Sequence, residues 1–265
     1  MSSSSRAPLT GAAIFRLIVL GVFAGFLSGM FGVGGGLIIV PGLMAVVGFT
    51  QKMASGTSLA TIVPLASVGV ISYATHGSVS WLGALLLAVG AMAGAQLGTW
   101  LLARIRVKLL RLVFIGFILA AIVSLFVVIP SRDAVLTITW VSAIELLVLG
   151  VITGTLSGLL GVGGGIIVVP ALMLVFGASD LIAKGTSLLM MIPAAVVGTV
   201  SNSKRKMVDL RAAAIVGIPA CGTTFLGSQT AGIVSPRLAN ILFAAFMLFI
   251  AIRMAVSLLK SPAGE

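Results

Sequence analysis

The chain has 265 residues, of which 60 % are hydrophobic and only 8 % are charged, and its mean hydropathy is +1.29. Soluble domains carry about 25 % charged residues, so this composition excludes a water-exposed globule and places the chain in a lipid bilayer. One cysteine (Cys221) and one histidine (His76) exclude a disulfide framework and a Cys/His metal centre, and the net charge of +11 is read as basic residues orienting helix ends rather than as a nucleic-acid surface.

In chain order, residues 1–11 are a short polar tail, expected on the cytoplasmic side. Five apolar segments follow, near 12–31, 34–49, 54–75, 81–102 and 109–129. Together they make residues 12–130 a first transmembrane repeat. A loop is expected over 131–140. Five more segments, near 141–160, 163–177, 185–203, 210–231 and 238–259, make residues 141–260 a second repeat, and 261–265 is a tail. Arg6 and the apolar run from Ile14 imitate a secretion signal. Cleavage there would destroy one half of an internal duplication. GFLSGMFGVGGGLIIVP at 25–41 returns as GTLSGLLGVGGGIIVVP at 154–170, with an offset of 129 residues and 12 of 17 positions identical. The same offset pairs Gly56-Thr57-Ser58 with Gly185-Thr186-Ser187 and Pro64 with Pro193. A period this long is a duplicated domain, not a solenoid unit.

Most segments are long enough for a crossing, which takes about 20 residues. The second of each half is not. As a helix, Leu37 to Phe49 rises only about 20 Å, against a hydrocarbon core of about 30 Å. Re-entrant short segments give eight crossings with parallel halves. Traversing ones give ten crossings with inverted halves. Ten crossings put 13 Lys/Arg inside and leave Arg132, Lys184 and Arg237 outside, whereas eight give 8 against 8. The positive-inside rule therefore selects ten, with the N-terminus in the cytoplasm. The expected fold is an all-α polytopic membrane protein of two inverted repeats with broken helices at the glycine motifs. Secondary transporters built this way place substrate near the midplane, where interrupted helices meet.

The glycine run is a poor helix and an adaptable turn. Irregular backbone at membrane depth survives only inside protein or beside a wet cavity. Each short helix then begins with free N–H groups at its positive end, a natural seat for an anion. Gly34, Gly35 and Gly36, with Gly163, Gly164 and Gly165, are the candidate anion contacts. Pro41 and Pro170 are expected to kink or interrupt the short segments. Thr57, Ser58, Thr186 and Ser187, at the start of the third segments, can cap a helix or donate to an oxyanion. Ser28 and Ser157 precede the glycine blocks by one turn and could line the same cavity. Packing alone also explains glycines at helix crossings, and capping alone explains the hydroxyls. A nucleotide fingerprint is not supported: the spacing is not GxGxxG and no P-loop Lys-Ser/Thr follows. Intramembrane charge is scarce. Glu145 is a candidate for a coupling proton and Lys184 for anion attraction, while Asn202 and Gln96 are either lumenal polar groups or interhelical glue.

The doubled GxxSGxxGVGGGxxxxP block and the paired Gly-Thr-Ser elements resemble the sulfite exporter TauE/SafE family, also known as anion permeases of the toluene-sulfonate uptake type. The resemblance covers almost the whole chain. It implies a multi-pass protein of the bacterial inner membrane that moves sulfite, sulfonates or related small organic anions, driven by the proton gradient; the paired glycine breaks suggest alternating access, one half rocking against the other. It carries no catalytic signature, no metal and no cofactor. An enzyme is disfavoured, because the chain has no His cluster, no acid pair and no Ser-His arrangement. An uncoupled anion channel and a non-transporting assembly protein remain as alternatives. The expected partners are a small anion and the lipid bilayer, and a homodimer is compatible with the sequence but not required by it.

Overall fold

The computed structural model describes residues 10–127 and 139–260. The expected tails and inter-repeat loop thus lie almost wholly outside the described residues. The described residues form ten helices: α1 Gly11–Phe31, α2 Gly36–Val47, α3 Gln51–Ala74, α4 Trp81–Arg104, α5 Val107–Val127, α6 Trp140–Leu160, α7 Gly165–Leu174, α8 Asp180–Lys204, α9 Leu210–Ile233 and α10 Pro236–Lys260. No strand occurs among the described residues. Helices α1, α3, α4, α6, α8 and α9 are each long and apolar enough to cross a membrane. Large apolar side chains such as Phe15, Phe23, Leu85, Ile152 and Ile218 face outward, as a hydrocarbon solvent demands. Trp81 and Trp140 stand exposed at the starts of α4 and α6, and Arg104 lies 3.8 Å over the ring of Trp100 at the end of α4. Such amphipathic groups belong at a membrane–water boundary.

Small residues set the packing. On α1, Gly21, Gly25 and Gly29 lie against the backbone of Val216, Ala220 and Thr224 on α9. On α4, Gly90, Gly94 and Gly98 meet Leu147, Val151 and Thr155 on α6, and Gly150, Gly154 and Gly158 answer from α6 against Leu87, Ala91 and Ala95. In each case a neighbouring carbonyl fills the space a methyl group would take. Lipid tails are as apolar as leucine, so helix association in a membrane depends on this close backbone approach. The register rises together along both pairs, so α1 and α9 are parallel, as are α4 and α6. Between α3 and α8 it runs the other way: Leu59 lies against Gly198 and Leu188 against Gly69. These two central helices are antiparallel.

Two expectations about the local structure need correction. The third segments begin earlier than their hydropathy suggests, at Gln51 and Asp180. Their caps are Thr50 and Ser179, whose hydroxyls accept from Met53 N and Ile182 N at 3.3 Å. The Gly-Thr-Ser elements therefore sit in the second turn and cap nothing. Polar first-turn residues lower the hydropathy of a helix start without preventing it, because the cap satisfies the free amides. Pro41 and Pro170 do not interrupt their helices either. Both lie inside α2 and α7, which continue past them. At the sixth position of a helix a proline forfeits one i→i−4 bond, too little to stop it here.

Candidate functional site

The site is built where the long helices α1 and α6 stop. Gly32 and Gly161 close them in the left-handed conformation (φ 69° and 73°) and donate 2.8 Å bonds to the carbonyls of Ser28 and Ser157. Gly35 and Gly164, again left-handed (φ 71° and 86°), open α2 and α7. An L-residue with a side chain adopts this backbone only at a cost, which is why the motif needs glycine there. The two loops lie side by side in opposite directions. Gly36 packs on the carbonyl of Gly161, and Gly165 packs on the carbonyl of Gly32. Ile62 and Met191, which are repeat partners, border Gly34 and Gly163. The sequence thus brings its two glycine blocks into one buried contact, with Gly35 and Gly164 each turned toward its own half.

Neither short helix has a side-chain cap. The first amides engaged after the N-cap are those of Ile38 and Ile39, both on Gly35 O at 3.0 Å, and of Ile167 and Val168 on Gly164 O at 3.1 and 3.2 Å. Gly36, Leu37, Gly165 and Ile166 lie buried at the uncapped starts. Buried N–H groups at a helix start require a partner, and the dipole there favours negative charge.

The hydroxyl candidates have other partners. Ser58 Oγ donates to Gly161 O at 2.8 Å, and Ser187 Oγ donates to Gly32 O at 2.7 Å. Ser55 Oγ adds a bond to Leu160 O at 3.0 Å. A serine hydroxyl has a single proton to donate; Ser58 gives it to the other half's glycine loop, and Ser187 shares it between Gly32 O and Lys184 O, the latter at 2.9 Å. Thr57 Oγ1 accepts from Asp209 N at 3.0 Å, and Thr186 Oγ1 accepts from Ser80 N at 2.9 Å. Ser28 and Ser157 are buried, and Ser28 Oγ has no hydrogen-bond partner.

The two charged candidates separate. Lys184 is buried against Gly32 and forms a 3.3 Å ion pair with Asp180, one turn earlier on α8. Glu145 is exposed near the start of α6; sixteen residues of helix, about 24 Å, separate it from Gly161. Sequence reasoning missed Asp180 and its repeat partner Gln51. Both are buried and polar, and the 129-residue offset pairs them, so comparing polar positions across the repeat would have found them.

A family profile described as "Sulfite exporter TauE/SafE" matches residues 3–139 and 146–265. The chain is 27 % identical over 209 residues to a probable membrane transporter protein, YunE, of Bacillus subtilis, covering 70 % of this chain and 77 % of the relative. It is 29 % identical over 206 residues to a probable membrane transporter protein of Xylella fastidiosa, covering 76 % and 78 %. A shorter match, 40 % identical over 83 residues, links it to YdhB of Bacillus subtilis, another probable membrane transporter protein, over 31 % and 34 % of the two chains. No solved structure matches. With the profile spanning nearly the whole chain, this multi-pass membrane protein belongs to the TauE/SafE sulfite exporter family of membrane transporters.

Proposed function

We propose that the protein moves sulfite, an organosulfonate or a related small oxyanion across the bacterial inner membrane by alternating access, coupled to protons. The observation that carries this reading is the paired break at the centre. Two uncapped helix starts, α2 and α7, are buried beside each other between the halves. Glycine removes the side chains that would keep a ligand from the backbone amides, and helix N-termini favour anions. Neutral donors bind an oxyanion without holding it as a fixed cation would, and a transporter must also release its cargo. The helix directions support inverted halves: α1, α3 and α9 run one way, and α4, α6 and α8 the other. This is the arrangement that lets one half rock against the other about a central site. The serine bonds from Ser58 and Ser187 to the opposite loops would then hold this conformation and break in the next. The basic-residue count supports an N-terminus inside.

The test is current from proteoliposomes on a solid-supported membrane, with sulfite, thiosulfate, taurine, sulfoacetate and acetate applied in turn, with and without a pH gradient. A saturable signal for a sulfur anion that grows with the proton gradient is the expected result. A saturable signal indifferent to the gradient would replace coupling with facilitated diffusion. The exposed position of Glu145 favours that second reading over coupling through this residue.

A further inference from the structure

The two ends of the α3/α8 pair are repeat partners, yet they carry different chemistry. At one end are Asp180, Lys184 and Tyr73. Asp180 and Lys184 pair with each other, and the Tyr73 hydroxyl donates to Gly29 O at 2.7 Å. The 129-residue offset places Gln51, Ser55 and Asn202 at the other end. Ser55 is bonded to Leu160 O. Gln51 and Asn202 are fully buried, and all four of their amide atoms (Gln51 Oε1 and Nε2, Asn202 Oδ1 and Nδ2) lack a hydrogen-bond partner. Buried amides are costly unless paired, and native interiors rarely leave even one unpaired. Four at one end of the α3/α8 pair point to a ligand.

Because α3 and α8 are antiparallel, the two residues lie at the same end of the pair. Gln51 is the first residue of α3, and Asn202 is in the last turn of α8. The Asn202 side chain packs against Gly56, little more than a turn along α3 from Gln51. We infer that Gln51 and Asn202 form a second oxyanion subsite, through which the substrate passes between the central glycine loops and the end of the molecule where α3 begins. This rests on the anion-transport reading above.

The charges around the subsite choose the sign of the ligand. Lys52, Lys204, Arg205 and Lys206 flank the two amides in sequence, against one acid, Asp209. Lys52 Nζ is held on Ala103 O at 2.9 Å, and Arg205 on Thr99 O. The Asp209 carboxylate caps α9 through Arg211 N and Ala212 N at 3.0 Å. A positive rim concentrates anions and repels cations. The first turn of α3 adds its positive dipole end. The amide nitrogens Nε2 and Nδ2 are then the donors, suited to the oxygens of a sulfite, sulfate or sulfonate group.

The test is equilibrium binding of radiolabelled sulfite to the full-length protein in nanodiscs of zwitterionic lipid, which keeps anionic headgroups out of the assay. Gln51→Leu and Asn202→Leu should each weaken sulfite binding about tenfold, the loss of one charge-assisted hydrogen bond. Thermal stability should hold or rise, because an unpaired buried amide has been removed. Gln51→Glu keeps the shape, turns the donor into an acceptor and adds negative charge, so it should weaken binding further. If wild type binds sulfite and all three variants bind it equally well, the pair is only structural and the inference is overturned. If wild type binds neither sulfite, sulfate nor sulfoacetate saturably, the anion-transport reading fails and takes this inference with it.

Discussion

Glycine does opposite work in two regions of this molecule. At the α4·α6 crossing, Gly90, Gly94 and Gly98 face Gly150, Gly154 and Gly158 inside regular helix. There the missing side chain lets two backbones touch, and nothing polar is left over. At the central break, Gly32, Gly34 and Gly35, with Gly161, Gly163 and Gly164, hold left-handed backbone. There the missing side chain permits a turn and leaves helix starts uncapped. One region uses glycine to close space; in the other, we propose, it keeps backbone amides reachable. The first should fail as a fold when altered, and the second as a function.

The sharpest way to break the comparison is Gly94→Val on α4. Its β-carbon would meet the carbonyl of Val151, and overpacking of this kind costs about 1–3 kcal/mol or more. We expect little folded protein in the membrane, as read by detergent-extracted monodisperse yield. Near-normal yield would show that the crossing is looser than described. Next in size is Asp180→Leu. Removing one member of a buried ion pair costs about 3–5 kcal/mol, less here to the extent that Lys184 can turn toward water. A fall in melting temperature is expected, and Gln51→Leu, at the repeat-equivalent position, should show no such fall.

Gly35→Ala and Gly164→Ala test the central region more gently. Each forces a side chain into left-handed backbone, at about 1–2 kcal/mol. The protein should still fold, with transport reduced at least tenfold. Equal loss of yield and transport would erase the distinction between the regions. The smallest effect is expected from Ser58→Ala. It removes the bond to Gly161 O, a net contribution of about 0.5–1.5 kcal/mol, and should change the rate of transport more than the amount of folded protein. An unchanged rate would show that the bond does not take part in the cycle.

Much of this was legible in the sequence. The duplication, the ten segments and the breaks at Gly32–Gly36 and Gly161–Gly165 follow from hydropathy and from one repeated block. Segment lengths marked α2 and α7 as shorter than the hydrocarbon core is thick. The serine partners were not legible. The pattern could nominate Ser58 and Ser187 as donors, but only the packing of one half on the other shows Gly161 O and Gly32 O as their partners across the halves. The starts of α3 and α8 were misplaced for a related reason. A hydropathy window averages Gln51, Lys52 and Asp180 out of the segment, whereas the helix is set by Thr50 and Ser179 one residue earlier. The same averaging hid Gln51 and Asp180 as buried polar residues.

The most direct test of the central claim is sulfite counterflow. Proteoliposomes loaded with unlabelled sulfite are diluted into a trace of radiolabelled sulfite, with wild type, Gly35→Val and Gly164→Val compared at equal amounts of folded protein. Counterflow needs neither a proton gradient nor net charge movement, so it reads the exchange step alone. We predict saturable accumulation for wild type and none for either variant. Accumulation at the wild-type rate in both variants would contradict the placement of the anion at the paired glycine breaks.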